Sequence, residues 1–193
     1  MSIRVLLVRH GETAWNRAGR FQGHTDVELS EIGRAQAREV AARLREVSVR
    51  RVASSDLRRA RETAEILAAE LPAELACVDA DLRERSYGCF EGLTREECAE
   101  RFPDLWAAHA RGQFVDVPGA EPRAEVTARI VRGVTRVVET HGRLSGGIAI
   151  VTHGGVMRAF LEVACAEHVP PVPNLAVYEL EYVAGAFARP RLF

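Results

Sequence analysis

The chain predicts a three-layer α/β/α sandwich around a mostly parallel central sheet with an antiparallel edge, and three observations carry that expectation. Short apolar runs at residues 3–8, 51–53, 75–78 and 148–151 are separated by helical patterns, which is how a parallel sheet covered on both faces reads. The tail alternates over 175–182 and 187–193 about Ala184-Gly185, as an antiparallel hairpin at a sheet edge does. Two of the strand-like runs, ending at Val8 and Thr152, break abruptly into polar residues and glycine. Open α/β sheets bind ligands at that mouth.

Taken in order, the first strand runs into Arg9-His10-Gly11-Glu12-Thr13-Ala14-Trp15-Asn16. The first long helix opens at Ser30, with Glu31 in its first turn and Ile32, Val40, Leu44 and Val47 on one side. The second strand leads to Ser55 or Asp56 as the N-cap of a helix that turns Leu57, Ala60, Ala64 and Leu67 inward. Arg59, in the first turn of that helix, points back toward the strand mouth. A polar loop, Asp81-Leu82-Arg83-Glu84-Arg85-Ser86-Tyr87-Gly88, comes after the third strand. Thr94-Arg95-Glu96-Glu97 is a capping box, and Pro103 ends that helix or starts another. Residues 94–121 therefore read as an insertion of short helices and loop, placed to lie over the mouth as a partial lid. Glu121-Pro122 opens another helix, with Pro122 suited to the first turn, running through Val126, Ile130, Val134 and Val138 toward His141-Gly142. The fourth strand runs into His153-Gly154-Gly155 and a helical stretch carrying Arg158. With no repeat, low-complexity tract or linker, 1–193 reads as a single domain.

Composition removes several function classes. A 47% hydrophobic chain of 193 residues can build a core, and a formal net charge of -1 leaves no basic surplus for a nucleic-acid partner. All 26 basic residues are arginine. The absence of lysine excludes a P-loop lysine, a Schiff-base enzyme and a pyridoxal enzyme, and no cofactor is implied. The N-terminus lacks the progression of a signal peptide, and no apolar run reaches membrane-spanning length. Cys77, Cys89, Cys98 and Cys165 have no CxxC pairing, which fits reduced thiols in a cytoplasmic protein. Cys89, close to the Glu84 loop, reads as a packing residue.

The residues at the strand ends set the chemistry. Displacement at the phosphorus of a dianionic phosphomonoester needs an in-line nucleophile and cations on the equatorial oxygens. Arg9 and Arg59 supply planar forks of donors matched to phosphate, and Asn16 adds a neutral donor. Neutral His10 can attack phosphorus through a ring nitrogen, and the neighbouring arginines disfavour its charged form. Strand geometry gives His153 a place beside the transferring phosphoryl group. A competing reading of two histidines and acids is a metal site. A divalent cation there would sit among Arg9 and Arg59, whose charges repel it. Arg58 reads as a surface arginine, Arg61 as a weaker site candidate or a solvated surface arginine, and His109, His141 and His168 as solvated or helix-terminal.

These motifs, in this order, resemble the histidine phosphatase superfamily, the phosphoglycerate mutase-like proteins, over nearly the whole chain. The resemblance implies that His10 is the nucleophile, giving a phosphohistidine. It implies that Glu84 is the acid that protonates the leaving alkoxide and then, as carboxylate, activates water. Arg20-Phe21-Gln22-Gly23-His24-Thr25-Asp26 resembles the family loop in which Gln22 and Gly23 face the phosphate, while Gly23 alone also reads as a turn glycine. Tyr87 and Gly154 complete the substrate-binding set. Mutases of this family carry a longer insertion with an arginine pair and a lysine that hold the substrate carboxylate. Here 102–121 has only Arg111 and no lysine, which favours water as the acceptor. Tyr87 counts toward the mutases, Gly155 departs from the asparagine common in them, and Ala120-Glu121-Pro122 departs from the Gly-Glu-Ser of many phosphatases. The expectation is a metal-independent hydrolase of small phosphorylated metabolites, monomer or homodimer, without nucleic-acid or membrane partners. The alternatives are a cofactor-dependent phosphoglycerate mutase and a phospholigand-binding protein that kept the pocket and lost turnover.

Overall fold

The computed structural model describes residues 2–111, 117–142 and 146–193. Six strands form one sheet: β1 (Ser2–Arg9), β2 (Val49–Ser54), β3 (Glu74–Val78), β4 (Gly147–Thr152), β5 (Val177–Val183) and β6 (Ala186–Leu192). Their order is β3-β2-β4-β1-β5-β6; the first four run parallel, while β5 is antiparallel to β1 and β6 to β5. The helices are α1 (Ala14–Arg17), α2 (Glu31–Leu44), α3 (Arg58–Glu70), α4 (Arg95–Arg101), α5 (Pro103–Ala110), α6 (Arg123–His141) and α7 (Gly154–Ala164).

The continuous apolar runs of the central strands arise because both faces are covered. In β1, Val5 and Leu7 join Ile130, Val134, Met157 and Phe160 of α6 and α7 in one core cluster. Leu6 and Val8 point the other way, onto Val40, Leu44, Ala64 and Leu67 of α2 and α3. A third cluster, around Phe90, Leu93, Cys98 and Val117, carries the inserted helices α4 and α5. Among the described residues no helix is long and apolar enough to cross a membrane.

Several local expectations change. The N-cap of α3 is Leu57, not Ser55 or Asp56, and no side chain caps it; Ser55 Oγ accepts the Leu57 N–H instead. Pro122 is the N-cap of α6 and lies just outside its first turn. Ile32 is 49% exposed, because Gly33 and Ala37 present the narrow face on which α2 packs. Strand β5 begins at Val177, since Leu175 takes a left-handed backbone (φ 55) and turns the chain before pairing starts. The capping box at Thr94 forms as expected, and Pro103 opens α5. Helix α1, one turn with its own Thr13/Asn16 capping box, has too short a pattern to stand out in sequence.

The start of α2 lies against the loop after β1 through two glycines. A Cβ on Gly11 would stand 2.6 Å from the Gly33 carbonyl oxygen, and one on Gly33 would collide with the Glu12 backbone. Helix propensity favours alanine over glycine inside a helix by about 1 kcal/mol. We therefore expect Gly33→Ala to destabilise the protein, by about 1–3 kcal/mol of overpacking, where propensity alone gives the opposite sign. Chemical denaturation measures it; a stabilised variant removes the close approach.

Candidate active site

Parallel pairing of β1 with β4 builds the centre of the site. The register sets Arg9 opposite Thr152, so the next residues, His10 and His153, emerge side by side. The His10 N–H donates to the Thr152 carbonyl at 3.0 Å, and the two imidazole centroids lie 5.1 Å apart. His10 is 3% exposed and His153 is fully buried. His10 Nδ1 lies 2.7 Å from the Gly11 carbonyl oxygen. A carbonyl only accepts, so Nδ1 carries the proton and the neutral ring presents a bare Nε2.

Two guanidinium groups face the pair. Arg59 is fully buried and anchored by backbone alone, Nη1 donating to the Thr25 carbonyl and Nη2 to that of Gly23. Arg9 Nη1 donates to the Val172 carbonyl at 2.5 Å. Among the described residues the Nε of both arginines and both ring nitrogens of His153 are buried without a partner. Buried polar atoms are nearly always bonded, so such a cluster is a cradle for a ligand with many acceptors. It suits the oxygens of a phosphoryl group.

The strap over 172–176 was not legible as part of this site. It grips the strand end from the other side: Leu175 N–H donates to the Arg9 carbonyl, and the Asn174 amide nitrogen lies 3.0 to 3.2 Å from the His10 and Gly11 carbonyls and Asn16 Oδ1. Asn16 Oδ1 also takes the Thr13 N–H, which leaves the Asn16 amide protons as donors. Gln22 is held likewise, its Oε1 accepting from Thr13 Oγ1. Gly23 has φ +52, and a Cβ there would collide with the Glu91 carboxylate. It is thus a required turn glycine whose carbonyl holds Arg59.

Glu84 is 8% exposed, with Oε1 accepting the Arg85 N–H and Oε2 the Gly155 N–H, both at 2.9 Å. The acid therefore docks on the N-terminus of α7, and a Cβ on Gly155 would stand 2.5 Å from Oε1. That is a physical reason for glycine at this position. Gly154 keeps the same helix start close to Arg9, a Cβ there falling 3.2 Å from Nε. The Glu84 charge, followed by burial, raises the Tyr87 phenol well above its ordinary value, so the hydroxyl stays a donor.

Braces around this loop escaped sequence reading, since nothing in their spacing marks them. Arg129 donates to the carbonyls of Asp81, Arg83 and Glu84 while pairing with Glu121. His24 Nε2 donates to the Glu84 carbonyl. Glu91 accepts from the His24, Thr25 and Tyr87 N–H groups and from the Thr25 and Ser86 hydroxyls, tying the phosphate loop to the acid loop. Arg58 and Arg61 lie on the exposed side of α3, and Arg61 pairs with Glu65. Cys89 is half-buried with a thiol pushed up by burial, which suits a packing role.

Burial, then the charges of Arg59 and Arg9, depress the basicity of His10 far below the ordinary histidine value. Burial also dominates for His153, followed by Arg59, His10 and Arg9. Burial brings Arg59 down to about 10, which leaves it charged at neutral pH. Below pH 6.5 the unfolded chain binds protons that these two folded imidazoles refuse, so stability falls with pH at about 1.4 kcal/mol per unit for each histidine. His153→Gln should therefore lose less stability than the parent between pH 7.5 and 5.5 in denaturant titrations. Equal losses place the acid sensitivity elsewhere.

Comparison with known proteins agrees with this arrangement. The family model described as histidine phosphatase superfamily (branch 1) matches residues 5–190. Phosphoglycerate mutase-like protein 4 of Arabidopsis thaliana is 40% identical over 178 residues, covering 90% of this chain and 76% of that protein. A metal-independent phosphoserine phosphatase of the same plant is 36% identical over 177 residues, covering 90% of this chain and 74% of its own. The solved structure of a mycobacterial glucosyl-3-phosphoglycerate phosphatase complexed with VO3 superposes with a TM-score of 0.83 at 30% identity, over 98% of this chain and 97% of that one. By its motifs, its fold and these matches, the chain belongs to branch 1 of the histidine phosphatase superfamily.

Proposed function

We propose that the protein hydrolyses phosphomonoesters of small metabolites through a phosphohistidine on His10. The observation that carries this reading is the fixed tautomer of His10: its Nδ1–H is committed to the Gly11 carbonyl, so Nε2 keeps its lone pair beside Arg9 and Arg59. Nε2 attacks phosphorus and the bond to the ester oxygen breaks. Glu84 delivers its proton to the departing alkoxide, and the arginines, Asn16, Gln22, the Gly23 N–H and His153 take the phosphoryl oxygens. Water then attacks the phosphohistidine, Glu84 recovers a proton from it, and the bond from phosphorus to Nε2 breaks to release phosphate. The relatives named as phosphatases support hydrolysis over transfer to a second substrate.

The same reading makes the reaction metal-independent, because the arginine charges that suit an oxyanion oppose a divalent cation. It makes 1–193 a single catalytic domain with a small phosphorylated metabolite as its partner, working as monomer or homodimer in the cytoplasm. The 94–121 insertion is its partial lid; α4 and α5 carry Phe102, Trp106 and His109 toward Phe21 and Phe90, while 112–116 lie outside the described residues.

Rapid quench during turnover should trap acid-labile phosphate on His10, and His10→Ala should abolish turnover. Activity is expected to survive exhaustive EDTA and to be inhibited by vanadate, which mimics pentacovalent phosphorus. Loss in EDTA with recovery by one metal reverses the assignment. In single-turnover bursts, Glu84→Gln should slow phosphorylation by an alkyl phosphate about 100- to 10,000-fold more than by p-nitrophenyl phosphate, whose leaving group needs no proton. Equal losses make Glu84 a positioning group. Conversion of 3- to 2-phosphoglycerate should stay below phosphate release; the reverse identifies a mutase.

A further inference from the structure

The strap over 172–176 continues the β1–β5 ladder past its last paired residues, Val8 and Val177: Leu175 N–H donates to the Arg9 carbonyl, and Arg9 N–H to the Ala176 carbonyl. Pro171 and Pro173 stiffen the strap, and Leu175 turns it with a left-handed backbone. Half-buried Asn174, between Pro173 and Leu175, is thereby presented to the end of β1. Its amide nitrogen lies 3.0 Å from the His10 carbonyl oxygen and 3.2 Å from both the Gly11 carbonyl oxygen and Asn16 Oδ1. Carbonyls only accept, and Asn16 Oδ1 also takes the Thr13 N–H, so the group that faces all three is the amide donor.

The two carbonyls belong to consecutive peptide groups, and the N–H groups of the same peptides are held on the opposite side. Gly11 N–H donates to Thr63 Oγ1 of α3 at 3.1 Å, and Glu12 N–H to Gln36 Oε1 of α2 at 3.3 Å. Both peptides are thus gripped at each end, carbonyls toward the strap and N–H groups toward the helices.

The second of these peptides sets the chemistry of His10, because its carbonyl takes the Nδ1 proton at 2.7 Å. Burial and the neighbouring arginines keep the ring neutral, so the nitrogen that carries the proton is decided by its hydrogen-bond partner. Glycine has no Cβ to resist rotation of that peptide, and a larger residue does not fit at position 11, where a Cβ would stand 2.6 Å from the Gly33 carbonyl oxygen. Turned over, the peptide presents the Glu12 N–H to Nδ1. The proton then sits on Nε2, and the lone pair that attacks phosphorus is lost.

We infer that Asn174 is a positioning residue for the nucleophile: by holding the His10 and Gly11 carbonyls on one side, it keeps the His10 proton on Nδ1 and Nε2 bare. Through Asn16 Oδ1 the same amide orders a phosphate donor. The inference rests on the reading of His10 as nucleophile, and its test reads the tautomer without turnover.

Asn174→Asp keeps the shape of the side chain but sets a carboxylate oxygen against three acceptors. NMR of nitrogen-labelled protein near neutral pH reports which imidazole nitrogen is protonated, with the His10 signals assigned by their loss in His10→Ala. The parent should show the Nδ1–H form. Asn174→Asp should populate the Nε2–H form and slow burst phosphorylation by p-nitrophenyl phosphate about tenfold, the scale of one lost hydrogen bond. A packing role alone lowers stability and leaves the tautomer unchanged. Asn174→Ala removes the donors without adding charge, and it decides the question in the same way where the aspartate variant does not fold. A pure Nδ1–H form in the folded variant overturns the inference, as does a parental burst rate despite a shifted tautomer. If the parent does not turn over p-nitrophenyl phosphate, the hydrolase reading fails, while the spectra still decide whether Asn174 sets the tautomer.

Discussion

The constraint on which the site depends is the burial of Arg59 without, among the described residues, a paired carboxylate. A guanidinium removed from water must find its partners in the protein, and here backbone carbonyls of Gly23 and Thr25 provide them. That requirement fixes the loop after α1, makes glycine necessary at position 23, and leaves one edge of the cation facing the histidines. The charge of Arg59 also adds to burial, the larger cause, in holding the basicity of both histidines far below the ordinary value.

A second consequence concerns rigidity. Many of the site's polar groups sit on loops, yet few are left to loop entropy. Glu91 gathers the donors of two loops, Arg129 gathers the carbonyls of the acid loop, and Asn174 gathers the acceptors at the end of β1. Each is a multiply bonded polar group facing a set of backbone partners, an arrangement that fixes the loops' geometry. The left-handed Leu175 beside Asn174 shows the strap bending to reach the strand end.

Charge pairing separates the strand mouth and the adjoining cleft, lined by Arg85, Arg123 and Arg158, from the described exposed helices. A chain whose only strong cation is arginine pairs many of them with carboxylates along exposed helices, which leaves little field there. At the strand mouth and in the adjoining cleft Arg9, Arg59, Arg85 and Arg158 bond to backbone carbonyls and, among the described residues, form no ion pair with a carboxylate.

By itself the sequence determined the layers, the strands of the sheet and the residues at its mouth, because periodicity and abrupt polar breaks are local properties of the chain. Arg9, His10, Arg59 and His153 sit at strand or helix ends, so a pattern could find them, and the motif resemblance added Glu84, Gln22, Gly23 and Tyr87. Boundaries failed where local preference was overruled: Leu57 caps α3 because Ser55 turns to its own backbone, and Ile32 faces water because α2 packs through glycine and alanine. The tertiary structure alone decided the His10 tautomer, the docking of Glu84 on Gly155, the bracing by Asn174, Glu91 and Arg129, and the gathering of Arg85, Arg123 and Arg158 around one cleft. These depend on contacts between segments far apart in the chain, whose partners no local spacing encodes.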